Sequence, residues 1–104
     1  MSYHNLNPSE FKTTYEQTED AVIIDVRTAL EIAAGKIEGA LEIDFYGADF
    51  TQKILELDRS KAYFMVCRSG GRSGQACSFM SQNGFKQLYN LAGGMIAWEM
   101  LVKS

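Results

Sequence analysis

Two short apolar runs constrain this 104-residue chain more than any other feature. Ala21-Val22-Ile23-Ile24-Asp25-Val26 is interrupted by one charge, and Ala62-Tyr63-Phe64-Met65-Val66 by none. Runs of that length, rich in β-branched and aromatic residues, read as strands. Side chains alternate between the two faces of a sheet, so a strand apolar at successive positions has no face to offer water. Such strands belong inside a parallel sheet covered by helices.

The rest of the chain supplies those helices. Tyr3-His4-Asn5-Leu6 reads as a short first strand. Asn7-Pro8-Ser9-Glu10 then has the spacing of a capping box, with proline at the first helical position, and predicts a helix to about Gln17 that buries Phe11 and Tyr15. A short helical segment from Thr28 to Ala34 is closed by Gly35. Ile37 to Asp44 holds a third strand, and residues 49–57 place Phe50, Ile54 and Leu57 on one helical face. Gln87-Leu88-Tyr89-Asn90-Leu91 is the fifth strand. After a Gly93-Gly94 turn, Met95, Trp98, Leu101 and Val102 share one face of the last helix. Strands alternating with helices predict an α/β fold with a mostly parallel sheet, in one domain spanning residues 1–104.

The fourth strand runs into Cys67-Arg68-Ser69-Gly70-Gly71-Arg72-Ser73, and residues 74–83 follow with helical spacing up to Gly84. A cysteine therefore lies in a glycine-rich turn between a strand end and a helix start. The first N–H groups of a helix have no internal partner, and its dipole is positive there. Gly70 and Gly71 can adopt φ > 0 and curl consecutive N–H groups into an anion-binding nest. Arg68 and Arg72 add positive charge. All of this favours thiolate over thiol, and the thiolate is the nucleophile. The competing reading, a turn around an inert buried cysteine, fits poorly with two arginine neighbours.

Ligands of open α/β sheets bind beyond the carboxyl ends of the strands. Asp25-Val26-Arg27 ends one strand and Cys67 another, so both point to one edge of the sheet. Glu31, four residues after Arg27, has the spacing of a local ion pair with it. Cys77 lies on the helix face of Ala76 and Met80, which predicts a small core residue rather than a redox partner of Cys67. His4, the only histidine, reads as a surface residue rather than a base. One histidine and two separated cysteines predict no metal site and call for no cofactor.

Net charge and cysteine content narrow the surroundings. A formal charge of −3 gives no support to nucleic-acid binding. Two cysteines do not form a disulfide framework, and no basic-then-apolar leader or spanning apolar run is present; the expected setting is cytoplasmic and away from membranes. Oligomeric state is open.

The loop Cys67–Ser73 resembles the active-site loop of the rhodanese family of sulfurtransferases. Asp25-Val26-Arg27, Glu31 and Gly35-Lys36-Ile37-Glu38-Gly39-Ala40 resemble its second motif, and Leu91-Ala92-Gly93-Gly94-Met95-Ile96-Ala97-Trp98 its third. The resemblance runs from Tyr3 to the last helix. It departs at Lys36 and Glu38, where the family has histidine and proline. It implies a three-layer α/β/α fold with strand order 3-2-4-5-1. It also implies a mechanism: Cys67 takes the outer sulfur of thiosulfate or a related donor as a persulfide and passes it to cyanide or a thiol, with a protein persulfide carrier among the possible partners. On this reading the N–H groups from Arg68 to Ser73 stabilise the sulfur anions, Arg68 and Arg72 bind the donor's sulfonate, and Ser69 and Ser73 give hydroxyl donors. Asp25 and Arg27 are accessory, with Asp25 holding the loop by hydrogen bonds. Two other functions fit related loops. A cysteine-dependent phosphatase or arsenate reductase would have one residue more between cysteine and arginine. A non-catalytic interaction module on the same fold would typically have lost the cysteine.

Overall fold

The computed structural model describes residues 2–103. Its elements are β1 (His4–Leu6), α1 (Pro8–Gln17), β2 (Ala21–Asp25), α2 (Ala29–Ala33), β3 (Leu41–Glu42), α3 (Phe50–Leu55), β4 (Ala62–Val66), α4 (Gly71–Ser81), β5 (Gln87–Leu91) and α5 (Gly94–Lys103). The strands form one sheet in the order β1-β5-β4-β2-β3, and each neighbouring pair runs parallel. This is the α/β architecture and strand order that the motifs implied.

The sheet separates two apolar clusters, and the alternation of β4 shows how. Ala62, Phe64 and Val66 face one cluster, with Phe11 of α1 and Met95 of α5. Tyr63 and Met65 face the other, with Phe50 and Ile54 of α3 and Ala76, Cys77 and Met80 of α4. All five residues of β4 are buried, which explains why its sequence carries no polar position. Fully burying side chains of this size stabilises by about 1.5–3 kcal/mol each.

Local signals set several boundaries. Asn7 and Thr28 cap α1 and α2 with complete capping boxes through Glu10 and Glu31. Phe11 packs edge-on against Phe64 and Trp98. His4 is exposed on β1 and stacks on Tyr89.

Three expectations differ from the structure. The third strand is Leu41–Glu42 alone, because Ala40 N–H donates to Ile37 O and so Ile37–Ala40 is a turn. Beyond β3, the N–H groups of Ile43 and Phe45 still reach Asp25 O and Val26 O. Val102 is 58% exposed, since the last turn of α5 fully buries none of its side chains. Helix α4 begins at Gly71, inside the cysteine loop. Of Gly70 and Gly71, only Gly70 takes the left-handed conformation, at φ 102°, and Gly74 N–H then bonds Gly70 O. Gly71, expected to share that conformation, is instead the first residue of the helix.

Candidate active site

Two strand ends and two helix starts meet around Cys67. Asp25 of β2 is in register with Val66 of β4, so the two chains leave the sheet side by side. Val26 N–H donates to Val66 O, holding them together one residue further. The reversal at Gly70 then turns the chain so that the N-terminus of α4 points back at the sulfur.

Cys67 is 1% exposed and packs within an apolar cluster, yet polar groups point at its sulfur. Gly70 N–H lies 3.0 Å from Sγ and Ser73 Oγ 3.2 Å. Burial is the largest single influence on the thiol and pushes it up. The Ser73 hydroxyl, with the backbone N–H groups of Ser73, Gly70 and Ser69, outweighs burial and holds the thiol below its ordinary value. Cys77 gives the contrast. Buried in the α4 face without such donors, it is pushed up to about 12, so at neutral pH it stays a thiol in the core.

Ser73 has one proton and two acceptors, Cys67 Sγ and Asn90 Oδ1. The Asn90 amide is oriented by its other end, where Nδ2 donates to Asn5 Oδ1 and Gly70 O. Asn90 therefore links β1, β5 and the loop reversal to the nucleophile through Ser73. Sequence reading missed it. The available signal was a polar residue in the strand Gln87–Leu91 at a position the sheet buries. Ser73 is fully buried and serves the sulfur rather than capping a helix.

The second fastening, α5 onto the loop, was also invisible in the sequence. Met95 N–H donates to Cys67 O and Ile96 N–H to Arg68 O. Gly94 permits this approach: a Cβ there would lie 2.4 Å from the Arg68 carbonyl. The positive end of α5 thus satisfies the loop's carbonyls while its N–H groups face the sulfur.

The accessory charges pair differently from expectation. No Arg27–Glu31 carboxylate pair forms. Arg27 is buried and forked onto Asp25 through Nε and Nη2, and also donates to Gly35 O and Glu31 O. Glu31 reaches across to the loop and holds Arg72 bidentately at 2.8 and 2.7 Å. The spacing rule failed because each group had a partner better aligned in space, and a planar fork onto a carboxylate is the stronger contact. Asp25 likewise does not bond the Cys67 loop; its carboxylate bonds go to Arg27. Arg72 lies against Glu31 and the Tyr46 ring, while Arg68 and Ser69 are exposed. Lys36 pairs with Glu42. Among the described residues, no three His, Cys, Asp or Glu side chains gather into a metal-holding group.

The Glu31–Arg72 clamp gives a pH signature. Arg72's hydrogen bonds, followed by the Thr28 N–H, lower Glu31 from 4.5 to about 2. Because the folded value is depressed, this stabilisation is fully present above about pH 4.5 and is lost as the pH falls towards 2. The pair is partly solvated, so about 1–2 kcal/mol is the expected size. Melting curves should show Glu31→Gln less stable than wild type at pH 7, with the gap closing between pH 4.5 and 2. A constant gap across that range would show that Glu31 acts through packing instead.

The comparisons agree with this geometry. A sulfurtransferase of Allochromatium vinosum is 40% identical over 81 residues, covering 78% of this chain and 74% of that protein. The Bacillus subtilis protein YtwF is 37% identical over 99 residues, covering 95% and 93%. The crystal structure of a rhodanese-like domain protein from Staphylococcus aureus superposes with TM-score 0.79 at 28% identity, covering 91% and 90%. The family model described as rhodanese-like domain matches residues 7–101, and this chain belongs to that family.

Proposed function

We propose that this chain is a sulfurtransferase that carries sulfane sulfur on Cys67, with thiosulfate or a related compound as donor and a thiophilic acceptor. The observation that carries the reading is Cys67 Sγ, buried yet held by Gly70 N–H, Ser73 Oγ and the start of α4. A ring of donors around one atom stabilises an anion of that size, be it a thiolate or the outer sulfur of a persulfide.

The reaction follows in two displacements. Cys67 thiolate attacks the outer sulfur of thiosulfate. The new S–S bond forms as the old one breaks, and the electron pair leaves with sulfite. An acceptor such as cyanide then attacks the outer persulfide sulfur, and Cys67 leaves as thiolate. Covalent storage on the enzyme makes the kinetics ping-pong. The same donors stabilise Cys67 as nucleophile and as leaving group, so neither step requires the loop to rearrange. Arg68, exposed beside the nucleophile, meets the donor's sulfonate, whereas Arg72 holds the loop to Glu31. A protein persulfide carrier satisfies the same chemistry as donor. Two free cysteines and a thiolate mechanism suit a reducing, cytoplasmic setting.

Mass spectrometry tests this directly. Incubation with thiosulfate should add one sulfur atom to the protein, and cyanide should remove it. No adduct with thiosulfate or with a persulfide donor would end the proposal.

The pH profile tests the role of the loop. Ser73→Ala removes a hydrogen bond that holds the thiol down. The acid limb of kcat/KM should move to higher pH, and the rate near pH 6 should fall about tenfold, the scale of one hydrogen bond to a charged group. An unmoved limb would assign the lowering to the backbone N–H groups alone.

A further inference from the structure

Asn90 sits in β5 between Asn5 of β1 and Met65 of β4 and is 4% exposed, so the polar atoms of its amide need protein partners. Nδ2 donates to Asn5 Oδ1 at 2.9 Å and to Gly70 O at 3.1 Å, and Oδ1 accepts from Ser73 Oγ. An amide can exchange its oxygen and nitrogen wherever its partners are hydroxyls or other amides. Here it cannot. Gly70 O is a backbone carbonyl, which only accepts, so the nitrogen must face it. The amide end left for Ser73 is therefore always an acceptor.

The Ser73 hydroxyl has one proton, and 3.2 Å away on its other side stands Cys67 Sγ. Thiol and disulfide-like sulfurs are weak acceptors, whereas a thiolate is a strong one. With Cys67 as thiol, the proton points to Asn90 Oδ1. With Cys67 as thiolate, it turns to the sulfur, and the buried Oδ1 loses its donor. Once sulfur is loaded, the charge lies on the outer atom and Sγ is again a weak acceptor, so the hydroxyl turns back to Oδ1. Of the ionisable groups around Cys67, Arg72 and Cys77 of α4 interact with its charge. Arg72 is held by Glu31 and Cys77 stays a thiol, so neither changes charge near neutral pH. On the neighbouring strand end Asp25 is paired with Arg27, and beside Asn90 the Tyr3 hydroxyl lies close to Gly74.

We propose that Asn90 is a positioning residue for sulfur transfer: it holds the Ser73 proton in the thiol and loaded states and releases it to Cys67 Sγ when that sulfur becomes a thiolate. This rests on the sulfurtransferase reading and gives control of its leaving group to a residue outside the loop. In discharge the bond from acceptor to outer sulfur forms, the Cys67 S–S bond breaks, and Sγ takes the electron pair. Ser73 keeps its proton throughout. Only the hydroxyl rotates, from Oδ1 to Sγ, so no further reactant is needed. Because Asn90 competes with the sulfur for that proton, it favours thiol and loaded forms over the free thiolate.

The test follows two carbon resonances by NMR in the isotope-labelled full chain. As pH rises, the side-chain carbonyl of Asn90 should shift with the same midpoint as Cys67 Cβ, and Ser73→Ala should abolish that response. In protein loaded from thiosulfate, with loading checked by mass, the Asn90 resonance above that midpoint should return to its thiol-state position. Asn90→Leu removes the competitor, so the Cys67 thiol should become roughly 3- to 10-fold more acidic, the scale of one hydrogen bond, and the acid limb of kcat/KM should move to lower pH. That direction is opposite to Ser73→Ala and to a loop merely loosened by the substitution. In the Ser73→Ala background, Asn90→Leu should move the limb no further. An Asn90 resonance that ignores the Cys67 titration, or one that still follows it in Ser73→Ala, would overturn the proposal without any Asn90 variant being made. So would an acid limb moved to higher pH by Asn90→Leu. Each of these leaves the sulfurtransferase reading intact if wild type loads sulfur. Failure of wild type to load from any donor would instead overturn that reading, and this one with it.

Discussion

Replacing Cys67 by serine is expected to abolish both the sulfur adduct and turnover, a loss limited only by the sensitivity of the assay. Serine keeps the size and the hydrogen-bonding capacity of the site. Its hydroxyl is not ionised by donors that only moderately favour an anion, and its oxygen cannot hold sulfane sulfur as a persulfide. The hydrogen bonds from Gly70 N–H and Ser73 Oγ would find a smaller acceptor in the same place, so the fold should be retained. Cys77 cannot substitute. It is fully buried and pushed up to about 12, without access to donor or thiolate character. Mass spectrometry after thiosulfate treatment, alongside a thiosulfate:cyanide assay, gives both readouts. An adduct on Cys67→Ser, or residual turnover at the wild-type rate, would place the chemistry elsewhere.

The sulfur is flanked by parts that differ in how visible they were in the chain. Cys67, Gly70 and the helix start were legible because they depend on local rules: a strand run, a glycine reversal, unpartnered N–H groups. The strand order was legible through the motifs, and burial on both faces of β4 followed from its unbroken apolar run. What stayed hidden depends on distant pairings. Glu31 and Arg72 lie 41 positions apart, and nothing in the spacing Arg27–Glu31 reveals that Arg27 turns back to Asp25 instead. Asn90 reads as a tolerated polar residue until β1 and β5 are paired and its amide is seen joining Asn5, Gly70 and Ser73. Gly94 reads as a turn residue, whereas its lack of a side chain lets α5 seat on the Cys67 and Arg68 carbonyls.

Asp25→Ala should produce the largest loss of stability, for a reason that separates architecture from chemistry. Asp25 and Arg27 side chains are 1% and 6% exposed, so their pairing is buried. Forming such a pair gains little over an apolar pair of the same volume, because both charges lose their hydration. Removing one partner is another matter: the Arg27 guanidinium would lose its forked carboxylate, leaving two hydrogen bonds to backbone carbonyls and the more distant charges of Glu31 and Glu99 to hold it. The expected cost is about 3–5 kcal/mol, a large share of the roughly 5–15 kcal/mol that stabilises a typical domain. In urea titrations this appears as a lower midpoint at unchanged slope. The double variant Asp25→Leu with Arg27→Met should recover most of the loss. A residue of about 1 kcal/mol remains, because the Gly35 carbonyl loses its Arg27 donor. Asp25→Asn, which keeps the shape and accepts one hydrogen bond, should lie between and still load sulfur on Cys67. A wild-type midpoint for Asp25→Ala would show that water solvates Arg27 well enough to make the pair dispensable. A stable Asp25→Asn protein unable to load sulfur would move Asp25 from positioning Arg27 into the reaction itself.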